Sequence, residues 1–278
     1  MAIKVYKSNT AGRRSKMSVV SSNDLTKKEP EKRLLKPNKS KAGRSKGKIS
    51  VRHRGGGHKR NYRIIDFKRE RFDELATVVA IEYDPNRSSR IALVEYEDKQ
   101  KQYVIASNDL KEGDVIISSQ NKIEIKPGNR MPLEQIPTGI SVYNIELDPG
   151  RGAKIVRSAG TMAVLQSVEG RYAQLKLPSG EIRLIPKMAS ATVGQVSNSD
   201  HRLVRIGKAG RKRNMGIRPS VRGKAMNPVD HRHGGGEGKQ SIGLKMPVTV
   251  YGKPALGVRT RNKKKWTGKL IVKRRNSK

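Results

Sequence analysis

The amino-acid sequence predicts an all-β protein: two small barrels in series between long, basic, irregular extensions. Short runs rich in Val, Ile and Tyr recur through the middle of the 278 residues, separated by turn chemistry, which is the profile of small barrels and sandwiches. Neither half of that middle offers a helix of convincing length. Charge divides the chain in the same places. Residues 1–60 hold 19 Lys and Arg against 3 acids and residues 201–278 hold 23 against 2, whereas residues 61–200 hold 19 of each. The whole net charge of +37 therefore lies outside an electrically balanced centre.

Residues 1–60 form the basic N-terminal extension. Its K-P-N-K-S-K-A-G-R-S-K-G-K run is polar and turn-rich, interrupted by short apolar pieces such as Leu34 and Leu35, and is expected to be disordered when alone. The first barrel, 61–129, draws its strands from Tyr62–Phe67, Ala76–Tyr83, Ile91–Tyr96, Gln102–Ala106, Val115–Ser118 and Ile123–Ile125, with turns at D-P-N-R (Asp84–Arg87) and E-D-K-Q (Glu97–Gln100). The stretch K-P-G-N-R-M-P-L-E-Q-I-P, with three prolines, marks a boundary. The second barrel, 130–200, draws on Ser141–Leu147, Lys154–Arg157, Ala163–Val168, Arg171–Leu177, Glu181–Ile185 and Ala191–Val196, joined by P-G-R-G, E-G and P-S-G. Two barrels of about 70 residues each suit these spacings better than one large sheet. Residues 201–278 form the Gly-rich, basic C-terminal extension, in which apolar residues come in ones and twos.

A chain this basic repels itself unless a polyanion neutralises it, and phosphate backbones are the commonest polyanions available. A membrane surface is the weaker partner, because the sequence has neither a basic amphipathic helix nor a long apolar run. The absence of cysteine excludes disulfides and thiolate metal sites. Met1–Thr10 lacks the apolar core of a signal peptide, so a reducing, cytoplasm-like compartment is expected. Aromatics make up only 4% of the residues, so contacts to backbone and shape are expected over base stacking, which points to folded RNA. The single tryptophan, Trp266, either packs on the protein or stacks on a base.

Two segments concentrate the candidate contacts. The first is Arg52, His53, Arg54, Gly55, Gly56, Gly57, His58, Lys59 and Arg60; the second lies within Val221–Lys239 and comprises Arg222, Asn227, Asp230, His231, His233, Gly234, Gly235 and Gly236. Arginine forks onto phosphate oxygens while glycine lets the main chain approach closely. Enzymatic readings of these motifs fail on chemistry. G-R-S-K-G at Gly43–Gly47 lacks the strand and helix of a nucleophile elbow. G-E-G-K-Q has His233 where a phosphate-binding loop needs Gly and Gln240 where it needs Ser or Thr. The alternatives kept open are a nucleic-acid-processing enzyme using Asp230, His231 and His233, and a histone-like DNA compactor. Five histidines and no cysteine make a four-ligand zinc site hard to assemble, so no metal and no cofactor are expected.

Ala2–Lys7 (A-I-K-x-Y-K), Arg52–Arg69, Ile81–Ser88, Leu177–Arg183, Ala191–Val196 and Arg222–Gly238 (R-G-x-A-M-N-P-V-D-H-x-H-G-G-G-E-G) together resemble the second protein of the large ribosomal subunit, bacterial type, the L-two family. The resemblance spans essentially the whole chain. It implies an oligonucleotide-binding-type barrel followed by an SH3-like barrel, primary binding to large-subunit rRNA, and other ribosomal proteins as neighbours. It further implies contact with small-subunit rRNA at an intersubunit bridge, support of tRNA binding, an arm reaching toward the peptidyl-transferase centre, and residence on cytoplasmic or plastid ribosomes without enzymatic activity. Carried over by motif, its RNA-contacting arginines are Arg69, Arg71, Arg87 and Arg157, and its much-discussed histidine is His231. Two departures stand out: Arg232 replaces the proline between the histidines, freeing a backbone dihedral and restoring a donor, and Lys224 replaces a small or apolar residue.

Overall fold

The computed structural model describes residues 3–14, 16–19, 25–27, 29–38, 42–239 and 241–275. Ala2, residues 39–41 and Gln240, which the motifs above include, lie outside the described residues.

The first barrel is a four-stranded antiparallel sheet in the order Val115–Ile117, Leu75–Glu82, Ile91–Tyr96, Lys101–Ile105. Leu75–Glu82 begins as an alternating strand, and its register shifts between Val78 and Ala80. Ile91–Tyr96 does not alternate, because both its faces are covered. Ala92, Val94 and Tyr96 point into the barrel interior with Val78, Val104 and Ile116. Ile91 and Leu93 pack on the other side with Tyr103, Ile105 and two residues of the second barrel, Tyr143 and Val196. A continuous apolar run is what a strand buried on both faces requires.

The second barrel is a seven-stranded antiparallel sheet, ordered Arg130–Pro132, Ser190–Val193, Ser141–Tyr143, Ala163–Glu169, Tyr172–Lys176, Ile182–Pro186, Ile271–Lys273. Its core gathers Met131, Leu133, Val142, Ile145, Leu165, Leu175, Ile185 and Val193. The fold is thus all-β, an oligonucleotide-binding-type barrel followed by an SH3-like one. Two strands escape the alternation rule. Arg130–Pro132 lies inside the proline-bearing stretch, and Ile271–Lys273 returns from the far end of the C-terminal extension to pair with Ile182–Pro186. Conversely, Ile123–Ile125 forms no strand; Ile123 packs against the second core instead.

Pieces of the N-terminal extension join the first barrel. Leu35–Pro37 pairs with Asn61–Arg63, the Thr26 amide donates to the Ile81 carbonyl, and the Glu31 amide donates to the Tyr103 hydroxyl at 2.7 Å. Ile3–Val5 pairs with Met17–Val19, and Met17 bridges to Arg205.

The chain divides into two compact units, one of residues 1–39, 59–209 and 269–278, the other of 40–58 and 210–268. All three apolar clusters belong to the first. Among the described residues of the second unit, His231 is the only buried one. No helix among the described residues is long and apolar enough to cross a membrane.

Candidate nucleic-acid interface

The glycine triplet that ends the N-terminal extension is laminated against a segment from the other end of the chain. The Gly55 amide donates to the Gly216 carbonyl at 2.9 Å, the His58 amide to Asn214 at 2.8 Å, and the Arg218 amide back to His53 at 3.0 Å. A β-bridge joins Arg54 to Ile217. The two backbones approach so closely that a Cβ on Gly57 would stand 2.8 Å from both the N and Cα of Gly216. This explains glycine at 57 by contact alone.

The lamination leaves Arg52 and Arg54 exposed. They line a cavity of about 450 Å³ with Arg44, His53, Gly55, Gly56 and Arg218, and no acid shares that lining. Arg44 and Arg218 are the residues the motif reading missed. No local signal marks them, because their place beside the triplet comes from chain pairing. Gly57, His58 and Lys59 are exposed, and Arg60 is partly buried, donating to the Pro85 carbonyl at 2.7 Å. Replacing Gly57 with Ala is expected to separate the two backbones. Deuterium exchange at the His58 amide should accelerate about two- to tenfold, the loss of one hydrogen bond of ~0.5–1.5 kcal/mol; unchanged exchange would show that the loop tolerates the Cβ.

The histidine loop is built by its own backbone. The Asp230 and His231 amides both donate to the Asn227 carbonyl, and the Gly234 amide donates to the His231 carbonyl at 2.8 Å. Gly234 lies against the carbonyls of Met226 and Asn227, where any Cβ would clash. The His231 ring, only 7% exposed, packs on Gly223. Its Nδ1 accepts the His233 amide at 3.0 Å, and His233 Nε2 accepts the Val248 amide at 3.1 Å. The two ring centroids are 4.6 Å apart. The Asp230 carboxylate is exposed and has no hydrogen bond to either imidazole among the described residues. Arg222, Asn227, Gly235 and Gly236 are exposed. The backbone around Met226–Asn227 and Gly235–Gly238 lines an open groove of about 800 Å³. No group of three or more His, Cys, Asp or Glu suited to a metal occurs among the described residues. Trp266 is exposed.

The four barrel arginines are placed in three different ways. Arg87 pairs with the buried Asp84 carboxylate, and its guanidinium and that of Arg157 lie 5.8 and 4.7 Å from the Phe67 ring centroid. Arg157 is exposed and donates to the Ala153 carbonyl. Arg71 is tied to Asp98 at 2.9 Å and Glu74 at 3.2 Å, donates to Gln100, and stacks on Tyr96. Hydrogen bonding to Asp98 raises its pKa above the ordinary value. Arg69 is buried at 4% exposure with φ +51°, donating to the Gly128 carbonyl at 2.8 Å and to Ile117. Burial lowers its pKa, and its guanidinium is spent on carbonyls of the linker and the first barrel.

A second buried guanidinium sits beside it. Arg130 Nη2 lies 3.0 Å from Glu146 Oε1, and Nη1 donates to the Asn144 carbonyl at 2.9 Å. Burial outweighs the opposing pull of Glu146 and brings Arg130 down to about 10, so it stays charged at neutral pH. Glu146 in turn accepts the amides of Gly150, Gly152 and Ser190, which holds the P-G-R-G turn.

Comparison with known families agrees with this architecture. The model for the RNA-binding N-terminal domain of ribosomal proteins L2 matches residues 31–118, and the model for the C-terminal domain of the same proteins matches residues 126–252. The four-stranded sheet of the first barrel, the second barrel apart from its last strand Ile271–Lys273, and the histidine loop fall within the matched stretches, and the alternatives of a nucleic-acid-processing enzyme and a histone-like DNA compactor find no support. The chain belongs to the ribosomal protein L2 family, rRNA-binding structural proteins of the large ribosomal subunit whose partners are rRNA and other ribosomal proteins.

Proposed function

We propose that this protein grips folded large-subunit rRNA chiefly through the unit of residues 40–58 and 210–268. The supporting observation is that this unit buries no apolar side chain among its described residues, yet displays cations almost unopposed by acids. Such a unit is held by backbone pairing and completed by a polyanion. Arg52, Arg54 and Arg222 take phosphates; Gly55, Gly56, Gly235 and Gly236 let RNA approach the main chain. Arg87 and Arg157 add contacts from the barrel face. Arg69 serves as an internal strut, and Arg71 keeps its charge largely satisfied by carboxylates. In this reading the domains are 1–60, 61–129, 130–200 and 201–278. The assembled protein supports subunit joining with small-subunit rRNA at a bridge and supports tRNA binding, on cytoplasmic or plastid ribosomes.

No catalytic step falls to the chain, although its histidine loop belongs near the peptidyl-transferase centre. A neutral imidazole has one lone pair, and His231 uses its own, at Nδ1, on the His233 amide. A ring so engaged shapes its loop and cannot take a proton at that nitrogen without losing the bond. Single-turnover peptide-bond formation on fully assembled His231→Ala ribosomes tests this. We expect less than about a tenfold change in the chemical step, with the defect confined to assembly or subunit joining. A slowing of about 10²–10⁴, the usual effect of removing a general acid or base, would restore a catalytic role.

A further inference from the structure

One face of the first barrel does not suit RNA. Leu75 and Val115, exposed at 50% and 48%, line a groove of about 430 Å³ with Thr77 and the half-buried Val79. Strand register places Val115, Thr77 and Glu95 side by side across three strands. Glu95 and Glu97 stand on the rim, with Lys99 the one cation among the lining residues. Glu97 makes no ion pair among the described residues, and Glu95 is 3.4 Å from Lys101. The nearby Arg71 is held between Asp98 and Glu74, so it adds no free positive charge. The sequence around the groove runs against the rest of the chain: from Glu70 to Asp114 there are 11 acids and 6 Lys or Arg, in a protein of net charge +37.

An apolar floor repays an apolar occupant, while an acid rim repels phosphate and attracts cations. We propose that this groove docks an amphipathic segment of another ribosomal protein, one that alternates Lys or Arg with aliphatic side chains. The proposal rests on the reading that the chain sits in the large subunit among such neighbours. It adds a protein-facing surface on the barrel, apart from the RNA-facing loops.

The test uses the full chain and a defined probe, a fluorescein-labelled peptide alternating lysine with leucine, followed by anisotropy. Binding is expected, with no binding by the same peptide carrying glutamate for lysine. Glu95→Lys with Glu97→Lys should weaken it about tenfold or more, and Val115→Ser should weaken it in the same direction. Affinity for large-subunit rRNA, measured in parallel, should stay within about twofold. A lysine–leucine peptide that fails to bind, or binds the variants equally well, overturns the proposal. So does an rRNA affinity that falls with the peptide affinity, which would make the groove part of the RNA interface. Loss of rRNA binding by the unsubstituted chain would count against the L2-type function alone, because the peptide titration reads the groove without RNA. In assembled subunits, a photo-crosslinking residue in place of Thr77 should label a Lys- or Arg-rich protein segment; a crosslink to rRNA, or none, would reject the surface.

Discussion

Replacing Glu146 with Leu is expected to cost about 3–5 kcal/mol of stability, the usual effect of stranding one member of a buried ion pair. The effect is large because Glu146 has four partners: the Arg130 guanidinium and the amides of Gly150, Gly152 and Ser190. Arg130 lies at the seam of the barrels, with its own carbonyl accepting the Ser119 amide at 2.9 Å. A domain is stable by about 5–15 kcal/mol in total, so the urea midpoint of the free protein should fall by about 1–2.5 M for a denaturant dependence of ~2–3 kcal/mol/M. Pairing Glu146→Leu with Arg130→Met should recover part of the loss, since no charge is left stranded, but not all of it, since the three amides still lack their acceptor. A single substitution costing under about 1 kcal/mol, as an exposed pair would, would show that the node does not tie the barrels together.

Affinity for large-subunit rRNA is expected to collapse with salt, and the collapse should be carried by the unit of residues 40–58 and 210–268. A protein making 6–10 phosphate contacts loses about 10³–10⁵ in affinity between 50 and 200 mM salt, with about 0.9 of log–log slope per neutralised phosphate on a duplex. Changing Arg44, Arg52, Arg54, Arg218, Arg222 and Arg232 to Gln should therefore flatten the slope by about 5. Substitution is the cleaner design, because deleting the extensions would also remove Leu35–Pro37 and Ile271–Lys273 from the sheets they complete. Equal slopes would move the phosphate contacts onto the barrels and end the two-loop reading.

Much was legible in the amino-acid sequence itself: the two β sets, the family, and the division between a balanced body and unbalanced cationic arms. Period-two alternation and turn residues are local properties, so strands such as Ala163–Glu169 and Tyr172–Lys176 emerge from their own residues. Charge is additive along the chain, so its partition needs no coordinates. What only the tertiary structure decided are the places where a residue's surroundings come from far away in sequence. Arg130–Pro132 is a strand because Ser190–Val193 pairs with it, its arginine then meeting Glu146, and Ile271–Lys273 is one because a distant sheet offers an edge. Arg69 looks like any surface cation in D-F-K-R, yet long-range carbonyls bury it. The triplet Gly55–Gly57 resembles a loose linker until Asn214–Arg218 pairs with it, and His231 resembles a free side chain until Gly223 and the His233 amide enclose it. Propensity and charge are written residue by residue, whereas burial and hydrogen-bond partnership belong to pairs, and the pairs exist only once the chain has folded.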